Sequence, residues 1–525
     1  MSKKYVNYHR HTHYSNITTL DCVVKPKDYI ERTVELGHDT FVSLEHGTVG
    51  NVFEAHMLCE KSKLNLVIGT EAYFVPNRFE KDRRNFHIVL LAVNENGRRA
   101  INKALSEANL TGYYYKARID EEILFNLPGD DVMVTTACCG GIANLDEEFL
   151  IRCKNHFKYF YLEIQAHVDE VQVEFNKKIL DLHKRLEIPL IHGNDSHYVK
   201  PEDSKYRTLF LKAKGISYPE ESSFILDFPS YDEIIERYKK QNVVPNEKAI
   251  EALDNTLIIK TFTQNINKEI KMPKISKNSN KELKELIQKK WNEEKKNIPK
   301  EKHKEYIEGI KYEMDIVQKT HMEDYFLLDY QVVKDAIEKY DCVITRTGRG
   351  SAPSFYINKL LGLTDLDRFD SPVTLYPTRF MSIERILQTR SLADIDINVA
   401  DRKPLIKATK DLLGEDGCHW LLTYKPMQKS SGFRMWCKAI GMHIDEYNEI
   451  AKNIDDYVED VKWKDIIEDS KVFVGVIESM APSPCSFLLL DTPISEEVGL
   501  IKVKDEICCM LDGYYCDAYK YLKND

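Results

Sequence analysis

Short apolar runs alternate with amphipathic stretches throughout the first 200 residues. The stretches Val52–Lys63 and Asp169–Leu186 carry apolar residues at helical spacing. The strand-like runs between such stretches are Phe41–Leu44, Leu66–Ile68, Ile88–Ala92, Val132–Val134, Tyr159–Ile164 and Ile188–Ile191. Alternating β and α elements predict a parallel sheet or barrel, in which active sites lie at the carboxyl ends of the strands.

The pattern changes between Lys260 and Lys311, which contain 15 lysines and 8 glutamates and few apolar runs. This segment is predicted to be a domain boundary, with a linker at Lys271–Asn280 and a helix of mixed charge at Lys281–Lys296. Such a charge run is more typical of a solvated face than of a DNA-backbone contact. Further along, the pattern predicts a helix at Asp329–Lys339 and a glycine-rich turn at Thr347–Ser351. It then predicts a helical stretch at Ser430–Asp469 and a final stretch of strands and loops at Phe473–Asp525.

Composition narrows the class of protein. The hydrophobic content of 43% and the charged content of 30% indicate a globular chain, and 525 residues predict two to four domains. No run approaches the ~20 apolar residues of a membrane span, and no signal peptide is recognisable. The 12 cysteines form no C-x-x-C pair, and the net charge of −10 excludes a uniformly basic DNA-coating protein. We therefore expect a cytoplasmic protein, of a bacterium or a phage-infected cell.

Metal chemistry is suggested by the histidines, of which 12 out of 16 precede residue 200. His9-Arg10-His11 is an H-x-H, and Asp195-Ser196-His197 is a D-x-H that follows an apolar run. A lone H-x-H is more often a pair of packed histidines than a metal site. Here, however, further candidate ligands accompany successive strand-like runs, as expected of a multi-ion centre. They are Asp21, His46, Glu71, His87 and Cys138.

These motifs resemble, in order, those of the polymerase and histidinol phosphatase (PHP) domain. The matching segments are His9–Ser15, Glu45–Gly47, Ile68–Glu71, Phe86–Leu91, Thr136–Gly141 and Asn194–Tyr198, and Tyr113–Asp120 also matches. The resemblance implies a distorted seven-stranded (β/α)7 barrel, a Zn²⁺ or Mn²⁺ site and 3′→5′ exonuclease activity. By position it assigns nine metal ligands, namely His9, His11, Asp21, His46, Glu71, His87, Cys138, Asp195 and His197.

A second candidate site combines Asp394-Ile395-Asp396 with the upstream Gly348–Ser351. Two carboxylates on one face of a strand can hold two Mg²⁺ ions for nucleotidyl transfer. Backbone N–H groups of a glycine-rich turn can bind phosphates. Taken singly, a D-x-D is more often a solvated loop, and the tetrapeptide is more often a plain turn.

Together with their neighbours, these motifs resemble the C-family replicative DNA polymerases, of which the DNA polymerase III alpha subunit is a member. The matching segments are Tyr325–Leu327, Thr347–Ser351, Leu361–Asp367, Arg379–Phe380, Ala393–Ile397 and Thr423–Arg434. The resemblance implies a polymerase β-like α+β palm. It assigns catalytic metal binding to Asp394 and Asp396, and nucleotide binding to Arg349, Gly350, Ser351, Lys429 and Arg434.

The end of the chain, Tyr521–Asp525, resembles the strand that bears the third catalytic aspartate of that family, which would be Asp525. We therefore expect an incomplete palm with a helical thumb-like insertion. The predicted domains are PHP at 1–265, first palm segment at 266–432, thumb-like segment at 433–505 and second palm segment at 506–525. Expected partners are primer-template DNA, dNTPs, a second polymerase fragment carrying fingers and C-terminal domains and, through it, a sliding clamp.

Two alternatives stay open at this point. The chain could be a stand-alone PHP phosphoesterase whose C-terminal half only binds DNA, or a non-catalytic scaffold subunit. The paired carboxylates beside the glycine-rich turn favour a polymerase over the first alternative. The complete set of nine ligand-capable side chains argues against the second.

Overall fold

The computed structural model describes residues 3–218, 223–345, 350–388 and 392–524. Its strands are β1 (Thr40–His46), β2 (Asn65–Phe74), β3 (Phe86–Ala92), β4 (Tyr113–Tyr114), β5 (Lys116–Ile119), β6 (Val132–Thr135), β7 (Tyr159–Ile164), β8 (Leu190–His192), β9 (Ile344–Thr345), β10 (Asn398–Val399), β11 (Cys418–Pro426), β12 (Ile477–Leu489), β13 (Leu500–Val503), β14 (Glu506–Asp512) and β15 (Leu522–Asn524).

The α-helices are α1 (Pro26–Glu35), α2 (Val52–Ser62), α3 (Glu95–Thr111), α4 (Glu121–Phe125), α5 (Glu147–His156), α6 (Glu170–Leu186), α7 (Ser204–Lys214), α8 (Tyr231–Gln241), α9 (Asn246–Asn255), α10 (Ser279–Glu294), α11 (His303–Thr320), α12 (Glu323–Tyr340), α13 (Tyr356–Leu360), α14 (Ile383–Leu387), α15 (Lys403–Leu413), α16 (Lys429–Ala439), α17 (Ile444–Lys452), α18 (Lys464–Ser470), α19 (Ile494–Glu497) and α20 (Gly513–Ala518). Among the described residues, no helix is long and apolar enough to cross a membrane.

The chain forms two compact units, and each is assembled from three segments. The first unit comprises Met1–Ile266, Thr423–Ala481 and Val498–Met510. The second unit comprises Asn267–Leu422, Pro482–Glu497 and Leu511–Asp525. The chain therefore passes between the units five times. The bounds of the four domains expected from the sequence stay a prediction.

An eight-stranded sheet organises the first unit. Its strand order is β4-β5-β2-β3-β6-β7-β8, and β1 pairs with β2 off this path. Strand β3 runs antiparallel to β2 and β6, whereas β1–β2, β2–β5, β6–β7 and β7–β8 are parallel. The parallel pairs follow from the helices that return the chain between them. Apolar side chains such as Val42, Val67, Val89 and Met133 form a core against this sheet.

Helices α16–α18 complete the first unit far along the sequence. Helix α16 buries Phe433 and Cys437 against Tyr447 and Trp463, which belong to the following segments. The segment before β12 also contacts the N-terminal loop, since Lys25 Nζ donates to the Val474 carbonyl at 2.8 Å. A loop of the N-terminal segment thus packs against residues some 450 positions later.

The second unit is built around a separate core. Tyr325, Phe326, Phe355 and Phe380 are fully buried there, and they belong to α12 and to the segments around α13 and α14. Two short antiparallel pairs flank this core. Strand β9 pairs with β10, and the end of β12 pairs with β15, where Phe487 lies opposite Asn524.

Candidate functional site

The nine predicted ligands of the first unit come from separate segments and are brought into mutual contact. His46 ends β1, Glu71 lies within β2, and His87 is the second residue of β3. Cys138 follows β6, while Asp195 and His197 follow β8. His9 and His11 flank Arg10, which forms an isolated bridge with Ser196 and belongs to no strand. The prediction that such ligands stand at strand ends therefore misses Glu71, which is interior to its strand.

Glu71 lies at the centre of the cluster. Its carboxylate oxygens are 2.7 Å from His46 Nδ1, 2.9 Å from His87 Nδ1, 3.1 Å from His11 Nε2 and 3.3 Å from His9 Nε2. The parallel register of β1 and β2 pairs His46 with Glu71. Strand pairing therefore fixes the first of these contacts.

Two other carboxylates extend the cluster. Asp195 Oδ1 is 3.3 Å from His11 Nε2 and 3.4 Å from His9 Nε2. Asp21 Oδ2 is 2.7 Å from His197 Nε2, and its position connects the N-terminal loop to the segment after β8. Asp195 adopts a left-handed φ of +51°, a conformation that aspartate tolerates better than most residues.

Cys138 closes the other end of the cluster, where its Sγ is 3.6 Å from His87 Nδ1. The preceding Ala137 has a φ of +58°, an unusual conformation for a residue with a Cβ atom. Among the described residues, four overlapping groups of three ligand atoms occur, and the atoms of each group lie within 4.8 Å of one another. One of these groups places Cys22 beside Asp21 and His197. The arrangement suits more than one ion.

Several of the clustered atoms are buried without a hydrogen-bond partner. Among the described residues, these atoms are His9 Nε2, His11 Nδ1 and Nε2, His46 Nδ1, both Glu71 carboxylate oxygens and Asp195 Oδ1. These atoms approach one another closely, but the angles between them do not suit hydrogen bonds. Leaving so many buried polar atoms unsatisfied is costly, whereas cations placed between them would satisfy the set. The residues present therefore fit a bound metal centre.

Electrostatics keep the carboxyl groups of this cluster ionised. Burial disfavours ionisation of Glu71, but His87, His9 and His46 outweigh it and hold the pKa of Glu71 well below its usual range. For Asp21, burial is likewise outweighed by His197 and Arg207, which lower the pKa of that carboxyl. Anionic oxygens at neutral pH are the form that binds cations.

The neighbouring histidines respond to the same carboxylates. Burial disfavours protonation of His11, but Asp195 and Glu71 raise the pKa of His11 to about 9. Burial, followed by the positive charge of His11, lowers the pKa of His46. Metal binding would displace protons from the first of these imidazoles.

Glu163 is a functional residue that the sequence analysis missed. Its carboxylate accepts hydrogen bonds from His9 Nδ1 at 2.7 Å, Tyr8 Oη at 2.6 Å and Gln165 Nε2 at 2.8 Å. A Cβ atom at Gly193 would lie 2.2 Å from Glu163 Oε1, so only glycine leaves room for this carboxylate. Glu163 thereby orients His9 with Nε2 towards the cluster. A single acid within the apolar run of β7 was the signal available in the sequence.

Two further charged residues hold the loop that carries Asp21. Arg207 donates from Nε to Asp21 Oδ1 at 2.9 Å. Glu45 accepts from the Thr12 backbone N–H at 2.9 Å and from Ser15 Oγ at 2.7 Å, so it fixes the turn after His11. These side chains set the shape of the cluster without joining it.

The second candidate site lies in the second unit and is more open. Ala393 and Ile395 are buried, while the Asp394 side chain between them is 46% exposed and Asp396 is half-buried. The alternation turns both carboxylates away from the core, although this segment precedes β10 and belongs to no strand. Lys523 Nζ on β15 is 3.6 Å from Asp394 Oδ2.

Gly350 connects the glycine-rich turn to this carboxylate pair. Its φ is +71°, and a Cβ atom there would lie 2.0 Å from Asp396 Oδ2. The turn and the D-x-D motif therefore touch, as nucleotide binding next to a metal site would need. Ser351 follows and is half-buried. Arg349 and Asp525 lie outside the described residues.

Lys429 and Arg434, the other predicted nucleotide-binding residues, lie on α16 in the first unit. Lys429 Nζ forms an exposed ion pair with Asp455 Oδ1 at 2.8 Å. Arg434 Nε donates to Asn448 Oδ1 at 3.3 Å. Both are engaged with side chains of their own unit, and their nucleotide-binding role stays a prediction.

Comparison with known proteins finds two families along the chain. Residues 7–185 match the PHP domain, and residues 281–523 match the bacterial DNA polymerase III alpha NTPase domain. The DNA polymerase III subunit alpha of Aquifex aeolicus is 26% identical over 86% of this chain. The chain is therefore similar to DNA polymerase III alpha subunits over most of its length. The corresponding subunits of Borreliella burgdorferi and Chlamydia trachomatis are 26% and 23% identical, over 89% and 95% of the chain.

The match covers less of the relatives than of this chain. The chain spans 41%, 42% and 47% of the length of those three DNA polymerase III alpha subunits. The family recognised from the sequence motifs is confirmed, as is the mixed α/β class with a PHP domain. PHP and polymerase families are metal-dependent, which agrees with the clustered ligands of the first unit.

Proposed function

We propose that the first unit hydrolyses DNA phosphodiester bonds as a 3′→5′ exonuclease and that the second unit carries part of a DNA polymerase site. The observation that carries the first part is the buried cluster of nitrogen, oxygen and sulfur ligands around Glu71, with atoms that lack hydrogen-bond partners. Such a mixed ligand set suits Zn²⁺ or Mn²⁺. When bound, these ions would polarise the phosphate and supply a hydroxide nucleophile.

The protein side chains have separate parts in this proposal. Glu71 and Asp195 would each be shared between sites, because each contacts both His9 and His11. Glu163 would hold the proton on His9 Nδ1 and so present Nε2 as a ligand. Burial of the cluster excludes water from all but its open side, where His87 and Asp195 are partly exposed.

For the second unit, the proposed reaction is template-directed nucleotidyl transfer with Mg²⁺. Asp394 and Asp396 would bind the ions, and Gly350 and Ser351 would contact the phosphates of the incoming dNTP. Contact of the glycine-rich turn with Asp396 supports this assignment. Primer-template DNA and dNTPs would be the substrates. Arg349, Lys429, Arg434 and Asp525 complete the proposed set, and a second polymerase fragment and a sliding clamp would be its partners.

The test is incubation of the purified chain with 5′-labelled primed DNA, Mn²⁺ or Mg²⁺ and all four dNTPs, read on a gel. We expect primer shortening by the wild type and by Asp394→Ala, and none by His11→Ala. His183→Ala, which changes a histidine on α6 outside the cluster, is the control and should retain shortening. Persistent shortening by His11→Ala would show that the nuclease site is wrongly placed. Any extension by the chain should disappear in Asp394→Ala.

A further inference from the structure

Lys116, the first residue of β5, is a half-buried lysine whose charge has no direct counterion. Its Nζ donates to the Thr18 carbonyl at 3.1 Å, to Tyr73 Oη at 3.2 Å and to Thr19 Oγ1. Within the described part of the chain, no carboxylate oxygen lies within 4 Å of Lys116 Nζ, which is the limit for an ion pair. Lysines are seldom buried unless they are paired, so this one needs an explanation.

The ammonium stands one side chain away from the metal cluster. It lies 4.6 Å from the centre of the Tyr73 ring. That ring is in turn 5.5 Å from the His87 ring and stacks at 6.3 Å on His46. The Thr18 hydroxyl donates to the carbonyl oxygen of His46. Both routes connect the lysine to ligands of the cluster.

The hydroxyl groups of Thr19 and Tyr73 beside Lys116 have one proton left to donate. Lys116 donates to both hydroxyl oxygens, and Thr19 Oγ1 and Tyr73 Oη lie 2.6 Å apart and share one proton. Two hydroxyls carry two protons, and only one is used between them. The second proton is free for a further acceptor, and the ammonium strengthens that donor by polarising its oxygen.

The protonation state agrees with binding of an anion. Burial lowers the pKa of Lys116 to about 8, against the charges of Asp21 and Glu71, which raise it. The side chain is therefore mostly cationic at neutral pH. A cation next to hydroxyl donors is the chemistry that binds phosphate oxygens.

We propose that Lys116, Thr19 and Tyr73 form a phosphate subsite beside the metal cluster, which binds a phosphate group of the DNA strand being cleaved. This inference rests on the proposed nuclease function and names a part of its substrate recognition. The subsite holds the strand through charge and hydroxyl donors, while the neighbouring cluster acts on the scissile bond. Lys116 is then a substrate-binding residue and no metal ligand.

The test measures binding of inorganic phosphate to the Mn²⁺-loaded full chain by titration calorimetry. We expect Lys116→Met to bind phosphate about tenfold more weakly than the wild type, since one charge-assisted contact is lost. Metal content and melting temperature should be unchanged, and Lys116→Arg should restore part of the affinity. Lys154→Met is the control, because Lys154 is also half-buried and donates to a backbone carbonyl, that of Leu186 at 2.8 Å.

Two results would overturn the subsite. Equal phosphate affinity of Lys116→Met and the wild type would be the first. Loss of bound metal together with phosphate would be the second, because the lysine would then merely hold the loop that carries Asp21. Should Lys116→Met fail to fold, Thr19→Val replaces it, and undiminished phosphate binding by that variant would also overturn the subsite.

The readout separates this inference from the nuclease proposal. Phosphate binding is measured without any turnover of DNA. A wild type that binds phosphate through Lys116 but leaves DNA intact would refute the nuclease and keep the subsite. If the wild type cleaves DNA and Lys116→Met changes neither the phosphate affinity nor the KM for DNA, the nuclease proposal is kept and the subsite is refuted.

Discussion

The two candidate sites differ in how the fold supports their carboxylates. In the first unit, Glu71 and Asp195 are enclosed by imidazoles whose positions are set by strand pairing and by buried partners such as Glu163. In the second unit, the Asp394 side chain is 46% exposed, and its charged neighbour is Lys523, whose Nζ lies 3.6 Å from Asp394 Oδ2. The first site is preformed by its own unit, whereas the described part of the second offers two carboxylates and a turn.

This difference predicts unequal retention of metal, which gives the largest expected effect. The first site should keep transition metal through purification, because several of its buried ligand atoms lack a hydrogen-bond partner among the described residues. Removing that metal with a chelator should lower the free energy of unfolding of the first unit by about 4 kcal/mol. Elemental analysis and calorimetry before and after chelation measure both quantities. If the purified chain carries no metal and the chelator does not change its stability, the first site is not preformed for metal and does not differ from the second in this respect.

A substitution behind the first site should have the next largest effect. Glu163→Gln keeps the size of the side chain but removes the charge that orients His9. We expect metal affinity to fall by about 10- to 100-fold, as is usual when a carboxylate behind a ligating histidine is lost. Competition with a chromogenic chelator measures it. Glu174→Gln, on the exposed side of α6, is the control, and an equal change in both variants would speak against an orienting role for Glu163.

The second site can be tested through Gly350. Gly350→Ala would place its Cβ against Asp396, so the carboxylate must move. In a His11→Ala background, we expect Mn²⁺ binding at the second site to weaken by about tenfold, since small displacements of ligands are costly. Paramagnetic resonance measures free Mn²⁺. Gly414 lies in the same unit and also has a positive φ, of +86°, but it has open space around it, so Gly414→Ala should bind Mn²⁺ normally.

A pH effect on stability should come from one buried carboxyl of the second unit. Asp329 on α12 is fully buried, and burial raises the pKa of its carboxyl to about 7, although the Asn524 amide donates to it at 3.2 Å. An acid with a raised folded pKa binds its proton more tightly when folded. Its ionisation therefore costs stability increasingly as pH rises from about 4, the unfolded pKa, to 7.

We expect Asp329→Asn to remove this slope, so that its stability relative to the wild type rises by about 3 kcal/mol between pH 4.5 and pH 7.5. Urea unfolding of metal-free protein at both pH values measures the difference. Asp335→Asn, on the same helix but paired with Lys339, should keep the wild-type slope. Identical slopes in the wild type and Asp329→Asn would show that the carboxyl is ionised in the fold.

The sequence motifs predicted which side chains of the first unit would meet, because H-x-H and D-x-H spacings and successive strands impose shared directions. Glu163 could not be found in this way, since its role depends on β7 passing beneath His9, a tertiary relation. The position of Glu71 inside β2 likewise depends on strand length, which periodicity leaves open. The ligand role of the nine residues stays a prediction, and so does the role of the second site.

The least foreseeable feature was the return of Thr423–Ala481 and Val498–Met510 to the first unit. Helical periodicity in residues 430–469 predicted helices but not their packing partners. Contacts such as that of Lys25 with Val474 join segments that share no local pattern. Long-range packing of this kind is decided by surface complementarity, and short motifs carry no trace of it.

The interleaved path of the chain also sets an order of events during synthesis. The first 266 residues leave the ribosome well before Met510, whose segment completes the same unit. At bacterial rates of roughly 5–20 residues per second, the wait lasts on the order of 10–50 s. Through that interval, the face of α3 that later receives β13 is uncovered, since Leu500 N–H donates to Ser106 Oγ only after the last segment emerges. The nascent chain is therefore exposed to proteases and aggregation during this stretch of biosynthesis. A stop codon before Met510 would leave both halves of the molecule unfinished.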